Sequence, residues 1–254
     1  MHNLTSKINI PVKIYITDKC NLHCKDCHWF SEPVKESNIV TREDILYFIE
    51  KWQPKEFCFT GGEPTLWPYL AETINSIPLT VALGLNTNGT HPEILDLIER
   101  PVTILLSYHK KTNRNVFNKS YNIIKDKGLK VTLATFDSPV DGFKIEANQL
   151  NISDDDKRIG KYVKCRPRQI YFGSDGRAYF CERGLRAKSD NLTMGFSLRD
   201  GIPSLKTRVC KANKSCLTAS GFFDKHSKGW AEQIMSFCDS RNYSSEFSSY
   251  SLTN

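Results

Sequence analysis

Five short runs rich in β-branched, aromatic and leucine residues punctuate the first half of the chain, and helix-like segments lie between them. The runs are Val12–Thr17, Glu56–Thr60, Thr80–Asn86, Val102–Ser107 and Leu129–Phe136. Each reads as a buried strand. Thr41 stands three residues before Asp44, a capping pair, and apolar Ile45, Leu46, Phe48, Ile49 and Trp52 follow it. Thr90 and Pro92 open a second helix carrying Ile94, Leu95, Leu97 and Ile98. A third spans Val116 to Lys127 and stops at Gly128, a residue suited to the left-handed position after a helix. Strands alternating with helices predict right-handed βαβ units and a parallel sheet or barrel, an α/β fold.

After the fifth run the pattern changes. The charged stretch Ser153–Lys161 reads as a solvated connector, and Arg168–Gly173 and Arg177–Cys181 flank Ser174-Asp175-Gly176, a hairpin turn. The Ser-rich residues Asp239–Asn254 lack a helical period and are expected to be a loosely ordered tail. No apolar run approaches the roughly 18–20 residues that span a bilayer. The N-terminus has no apolar signal region, so the expectation is a cytoplasmic protein with no membrane partner, acting as a monomer.

The chain has nine cysteines, an odd number, and three of them fall within eight residues. Without a secretory signal this points to metal-binding or catalytic thiols rather than a disulfide framework. In Cys20-Asn-Leu-His-Cys24-Lys-Asp-Cys27, three thiolates on one loop just past the first strand can wrap one face of an iron–sulfur cube. Three local ligands leave one iron open to a non-protein ligand. Zinc is the alternative, with His23 or His28 as fourth donor. Thr60-Gly61-Gly62-Glu63-Pro64 follows the second strand directly. Its glycines allow close backbone approach, and both segments then fall at the C-terminal mouth of a βα barrel, where active sites cluster.

Together with Asn86-Thr87-Asn88-Gly89 at the end of the third strand, these segments resemble the radical S-adenosylmethionine (radical SAM) superfamily over about residues 12–136. The resemblance implies a partial (βα)6 TIM-type barrel. It also implies a [4Fe–4S] cluster on Cys20, Cys24 and Cys27, whose open iron is chelated by S-adenosylmethionine. The residues it implies for binding that cofactor are Gly61, Gly62, Glu63 and Pro64 at the methionine amino end, and Asn86, Asn88, Ser107 or His109 at the ribose and carboxylate. One departure is Asp26, where the family usually places an aromatic or apolar residue before the third cysteine.

Cys165 and Cys181 bracket the expected hairpin, and Cys210 and Cys216 follow it. This arrangement resembles the SPASM/Twitch extension. It implies a small C-terminal hairpin and helix holding a second [4Fe–4S] cluster, with a four-cysteine zinc knuckle as alternative. The expected division is 1–152 for the barrel, 153–238 for the Twitch-like extension and 239–254 for the tail. Cys58 reads as a small core residue, and Cys238 as a free thiol or a replacement ligand. His28, His109 and Asp137 end loops or strands at the mouth and are candidate catalytic groups for orienting substrate or moving a proton. His91 reads as a surface position.

The implied activity is reductive cleavage of S-adenosylmethionine to a 5′-deoxyadenosyl radical, which abstracts hydrogen from a substrate in an oxidation or rearrangement. A flavodoxin or ferredoxin would supply the electron. Lys and Arg outnumber Asp and Glu, 35 against 28, a net charge of +7, which favours an anionic partner. A nucleotide or a modified base in nucleic acid is therefore the leading substrate class. A small polar metabolite for a dehydrogenase or isomerase, a ribosomal peptide, and a non-enzymatic zinc module binding nucleic acid remain as alternatives.

Overall fold

The computed structural model describes residues 11–24, 40–109, 111–135, 162–165, 169–179, 185, 193–200 and 208–211. Strands β1 (Val12–Tyr15), β2 (Glu56–Thr60), β3 (Ala82–Thr87), β4 (Thr103–Tyr108) and β5 (Lys130–Thr135) pair in parallel in chain order. Helix α1 (Arg42–Trp52) joins β1 to β2, α2 (Leu70–Ser76) β2 to β3, α3 (Pro92–Asp96) β3 to β4, and α4 (Arg114–Asp126) β4 to β5. The expected α/β alternation is therefore present, as an open and mostly parallel sheet.

The helix starts follow local chemistry. Thr41 and Asp44 form the expected capping box of α1, and Asn113 caps α4 by accepting from the amides of Asn115 and Val116. Gly128 takes φ +66 beyond α4, as a residue ending a helix in the left-handed region should. Helix α3 is shorter than expected, five residues, and its N-cap His91 gives it no side-chain hydrogen bond. The Thr90 hydroxyl donates instead to Asn88 Oδ1 at 2.6 Å.

Beyond β5 come β6 (Tyr162–Cys165), β7 (Ile170–Phe172), β8 (Arg177–Tyr179), β9 (Thr193–Ser197) and β10 (Arg208–Lys211). The expected hairpin is β7–β8. It does not stand apart: β7 pairs in parallel with the outer edge of β1, and β8 and β9 follow antiparallel. The sheet thus runs β5-β4-β3-β2-β1-β7-β8-β9, and the sixth parallel strand lies beside β1 rather than beyond β5. Strands β6 and β10 form a separate antiparallel pair.

Most of the burial falls on one face, while Tyr15, Tyr179 and Leu185 form a smaller buried cluster of their own. Phe172, Ile14, Phe59, Leu85 and Ile104 are successive register partners and fully buried. Ile45 and Phe48 of α1, Leu70 and Ile74 of α2, Leu95 of α3 and Phe117 and Ile124 of α4 join them in one core. Phe48 contacts Phe57 and Phe172 with ring centroids 6.2 and 5.0 Å apart, tying the hairpin strand to α1. Each such ring contributes about 1.5–3 kcal/mol by burial. Lys13, Cys58, Gly84, Asn86, Leu105, Ser107 and Tyr171 alternate with these core positions and are only half-buried. Cys58, expected in the core, therefore lies on the opposite face, with Sγ 3.7 Å from Asn86 Oδ1. Among the described residues no helix is long and apolar enough to cross a membrane.

Candidate active site

Because β1 to β4 are parallel, the loops that follow them meet at one end of the sheet. Cys20 and Cys24 are half-buried thiols on the loop after β1, where His23 takes φ +48. Two thiols on a tightly turned loop suit an iron–sulfur ligand set, and the third cysteine, Cys27, lies outside the described residues. Among the described residues no three metal-binding side chains come together.

The Gly61-Gly62 turn packs directly on this loop. Gly62 N donates to Thr17 O and Glu63 N to Lys19 O, both at 2.7 Å. A Cβ on Gly62 would stand 2.1 Å from Lys19 O, and one on Gly61 2.5 Å from Thr17 O. The close approach expected toward a ligand is thus first an approach to backbone.

Glu63 is buried, 1% exposed. Its Oε1 accepts from Thr65 N (3.0 Å), Thr65 Oγ1 (2.6 Å) and Thr87 Oγ1 (2.6 Å), and Oε2 accepts from Asn88 N (2.7 Å). Burial pushes the carboxyl above its ordinary value against the pull of these donors. The Glu63 side chain thereby joins the loop after β2 to the loop after β3. Among the described residues Oε2 accepts from Asn88 N alone. Pro64 opens a short 3-10 turn, Pro64–Leu66.

Asn88 continues the chain of contacts. Its Nδ2 donates to Asn21 Oδ1 at 3.1 Å, and Asn21 Nδ2 donates to Thr90 Oγ1 at 2.9 Å and lies 3.5 Å from His91 Nε2. His91 Nδ1 faces Glu93 Oε1 at 2.9 Å, which leaves Nε2 of the neutral ring as the acceptor toward Asn21. Asn88, expected at the cofactor, ties the loop after β3 to the cysteine loop through its bond to Asn21. His91, read as a surface residue, belongs to the same cluster.

The loop after β4 approaches from the other side. Ser107 Oγ donates to Thr87 O at 3.0 Å, so it can only accept from His109 Nε2 at 3.2 Å. In the neutral ring Nδ1 is then the acceptor, and it faces Cys24 Sγ at 3.5 Å. Lys111 Nζ donates to His23 O at 2.6 Å.

The structure thus brings together Cys20, Cys24, Gly61, Gly62, Glu63, Asn88, Ser107 and His109. Asn86, on β3, lies on the half-buried face just below them. Cys27, His28, Asp137, Cys181, Cys216 and Cys238 lie outside the described residues. Cys165 and Cys210 sit on adjacent strands, opposite Arg208 and Val163 respectively. As site residues, sequence reading missed Asn21, Thr87, Thr90 and Lys111. The available signals were the positions of Asn21 inside the cysteine motif and of Thr87 inside Asn86-Thr87-Asn88-Gly89.

Residues 14–131 match the family model described as the radical SAM superfamily. Curated relatives include a 7-carboxy-7-deazaguanine synthase of Clostridium acetobutylicum, 33% identical over 75 residues, 28% of this chain and 34% of the relative. An S-adenosylmethionine-dependent nucleotide dehydratase of Flammeovirga pacifica is 32% identical over 34% of this chain and 32% of its own length. A GTP 3′,8-cyclase of Aquifex aeolicus is 28% identical over 177 residues, 59% of this chain and 51% of the relative. The chain therefore spans about a third to a half of the relatives it matches.

Proposed function

From the premise that this chain is an enzyme of the radical SAM superfamily, we propose that it uses Cys20, Cys24 and Cys27 to hold a [4Fe–4S] cluster and acts on a nucleotide or a modified base. The observation that carries the reading is the interlocking of the loops after β1, β2, β3 and β4 around Cys20 and Cys24. Bound there, the cluster would supply one electron that splits S-adenosylmethionine into methionine and a 5′-deoxyadenosyl radical.

The chain's own residues do the positioning. The Gly61-Gly62 turn, with Pro64 beyond it, presents backbone at the edge of the cysteine loop, where the methionine end of the cofactor would lie. Asn86, Ser107 and His109 offer polar groups along β3 and β4 for its ribose and carboxylate. Glu63 and Asn88 hold these loops in register and remain proposed contacts, Glu63 for the methionine amino end and Asn88 for the ribose or carboxylate. His28, His109 and Asp137 remain the proposed groups for orienting substrate. A nucleotide is favoured by the names of the relatives, which concern GTP, a deazaguanine and a nucleotide, and by the net charge of +7. Cys165, Cys181, Cys210 and Cys216 are proposed to hold a second [4Fe–4S] cluster in a Twitch-like segment of residues 153–238, a reading supported by the pairing of β6 with β10. A flavodoxin or ferredoxin is the proposed reductant.

The test is anaerobic reconstitution followed by reduction with dithionite in the presence of S-adenosylmethionine. About eight irons per chain and formation of 5′-deoxyadenosine are expected, with more of the nucleoside when a purine nucleotide is added. Replacing Cys20, Cys24 or Cys27 by Ala should remove about four irons and all cleavage. Bound zinc without 5′-deoxyadenosine would sink the reading.

A further inference from the structure

Ser174, in the turn between β7 and β8, touches both ends of the segment that carries the three cysteines. Its Oγ donates to Asp18 Oδ2 at 2.9 Å, two residues before Cys20. Its carbonyl accepts from Val40 N at 3.2 Å, one residue before the cap of α1. Ser174 is 1% exposed. Since β7 runs parallel to β1, its turn necessarily lies at the end of the sheet where the cysteine loop departs.

The turn is built to hold its shape. Asp175 Oδ1 accepts from Arg177 N at 3.1 Å, and Oδ2 accepts from Arg177 Nε at 2.8 Å and Tyr179 Oη at 2.6 Å. Gly176 sits at φ +75 and donates to Gly173 O at 2.9 Å. Farther along the chain, Leu198 N donates to Gly176 O at 3.0 Å and Arg199 pairs with Asp44 in the first turn of α1. The C-terminal strands therefore grip α1 and the end of β1 together.

We propose that Ser174 is a positioning residue that clamps Asp18 to Val40 and so fixes the span across which the cysteine loop presents its thiols. Fixing both ends of a chain segment relative to each other removes conformations that cannot bring three ligands together. In this way the C-terminal hairpin governs retention of the cluster while supplying no ligand from its turn, a role comparable to an outer hydrogen bond that orients a metal ligand. The inference rests on Cys20, Cys24 and Cys27 being cluster ligands.

Hydrogen exchange of the metal-free full chain tests the clamp without the cluster. Ser174→Ala should speed exchange several-fold at the amides of residues 18–24 and leave β2 to β4 unchanged. In the reconstituted protein, Ser174→Ala and Asp18→Ala should each speed loss of cluster absorbance to a chelator several-fold. The double variant should lose it no faster than the faster of the two single ones, because both remove the same bond. Exchange at 18–24 equal to that of the parent overturns the proposal, as do additive effects of the two substitutions. A rise throughout the sheet overturns it too, assigning Ser174 to general stability. If the parent takes up no iron, the ligand reading fails, while the exchange result still decides whether the clamp exists.

Discussion

Replacing Gly62 by Ala isolates the contact between the glycine turn and the cysteine loop. The added methyl would lie 2.1 Å from Lys19 O, 2.5 Å from Lys19 C and 2.9 Å from Asp18 O. All three are backbone atoms, so no side-chain rotation can relieve the clash. The turn must lift, which breaks the 2.7 Å bonds from Gly62 N to Thr17 O and from Glu63 N to Lys19 O. Two lost hydrogen bonds at about 0.5–1.5 kcal/mol each, with overpacking of about 1–3 kcal/mol, amount to about 2–6 kcal/mol. For a chain of this size that lowers Tm by roughly 5–20 °C. Iron uptake should fall with it, because residues 17–19 lead into Cys20. Gly128→Ala is the control: it sits at φ +66 and its added methyl would have nothing within 4 Å, so it costs about 1–2 kcal/mol and spares iron uptake. Thermal unfolding and iron content of the two variants, measured side by side, decide the matter. A Gly62→Ala protein with parental Tm and full iron would refute the close approach.

Glu63→Gln keeps the shape but sets an amide NH2 against one of the donors now facing the carboxylate, which are Thr65, Thr87 and Asn88. Leaving one buried donor unsatisfied should cost about 1–3 kcal/mol in urea unfolding, and an unchanged midpoint would contradict the network. Asp44 is pushed up by burial, yet hydrogen bonds from Thr41 and Arg199 prevail and hold its carboxyl below its ordinary 3.8. Its contribution to stability is therefore complete above pH 3.8 and is lost as pH falls through the lower folded value. Asp44→Asn should flatten the acid limb of a stability curve measured below pH 3.8, and an identical limb there would refute the assignment.

Much of the architecture is legible in local residues. The five strand runs were readable from composition because parallel strands need apolar side chains wherever helices cover them. The capping pair Thr41 and Asp44 marked the start of α1, and Gly128 the end of α4. Helix α2 was missed because Tyr69 at its start gives no side-chain cap and its seven residues barely complete two turns. Strands β6 and β10 were missed for another reason: their pairing joins residues far apart in the chain, and neither run is distinctive alone.

The sequence by itself determined the cysteine loop, the glycine turn and their placement after the first two strands. Those follow from spacing within a few residues, and they carry the resemblance to the radical SAM superfamily. Only the tertiary structure decided what the polar residues around them hold. Asn88 turns to Asn21, Glu63 to Thr65, Thr87 and Asn88, and the hairpin turn at Ser174 to Asp18 and Val40. The bond from Ser174 to Asp18 joins residues 156 positions apart. Such bonds depend on which strand edge receives β7, and that is settled by the packing of Phe172 against Phe48 and by its register beside Ile14, rather than by any local signal in the chain.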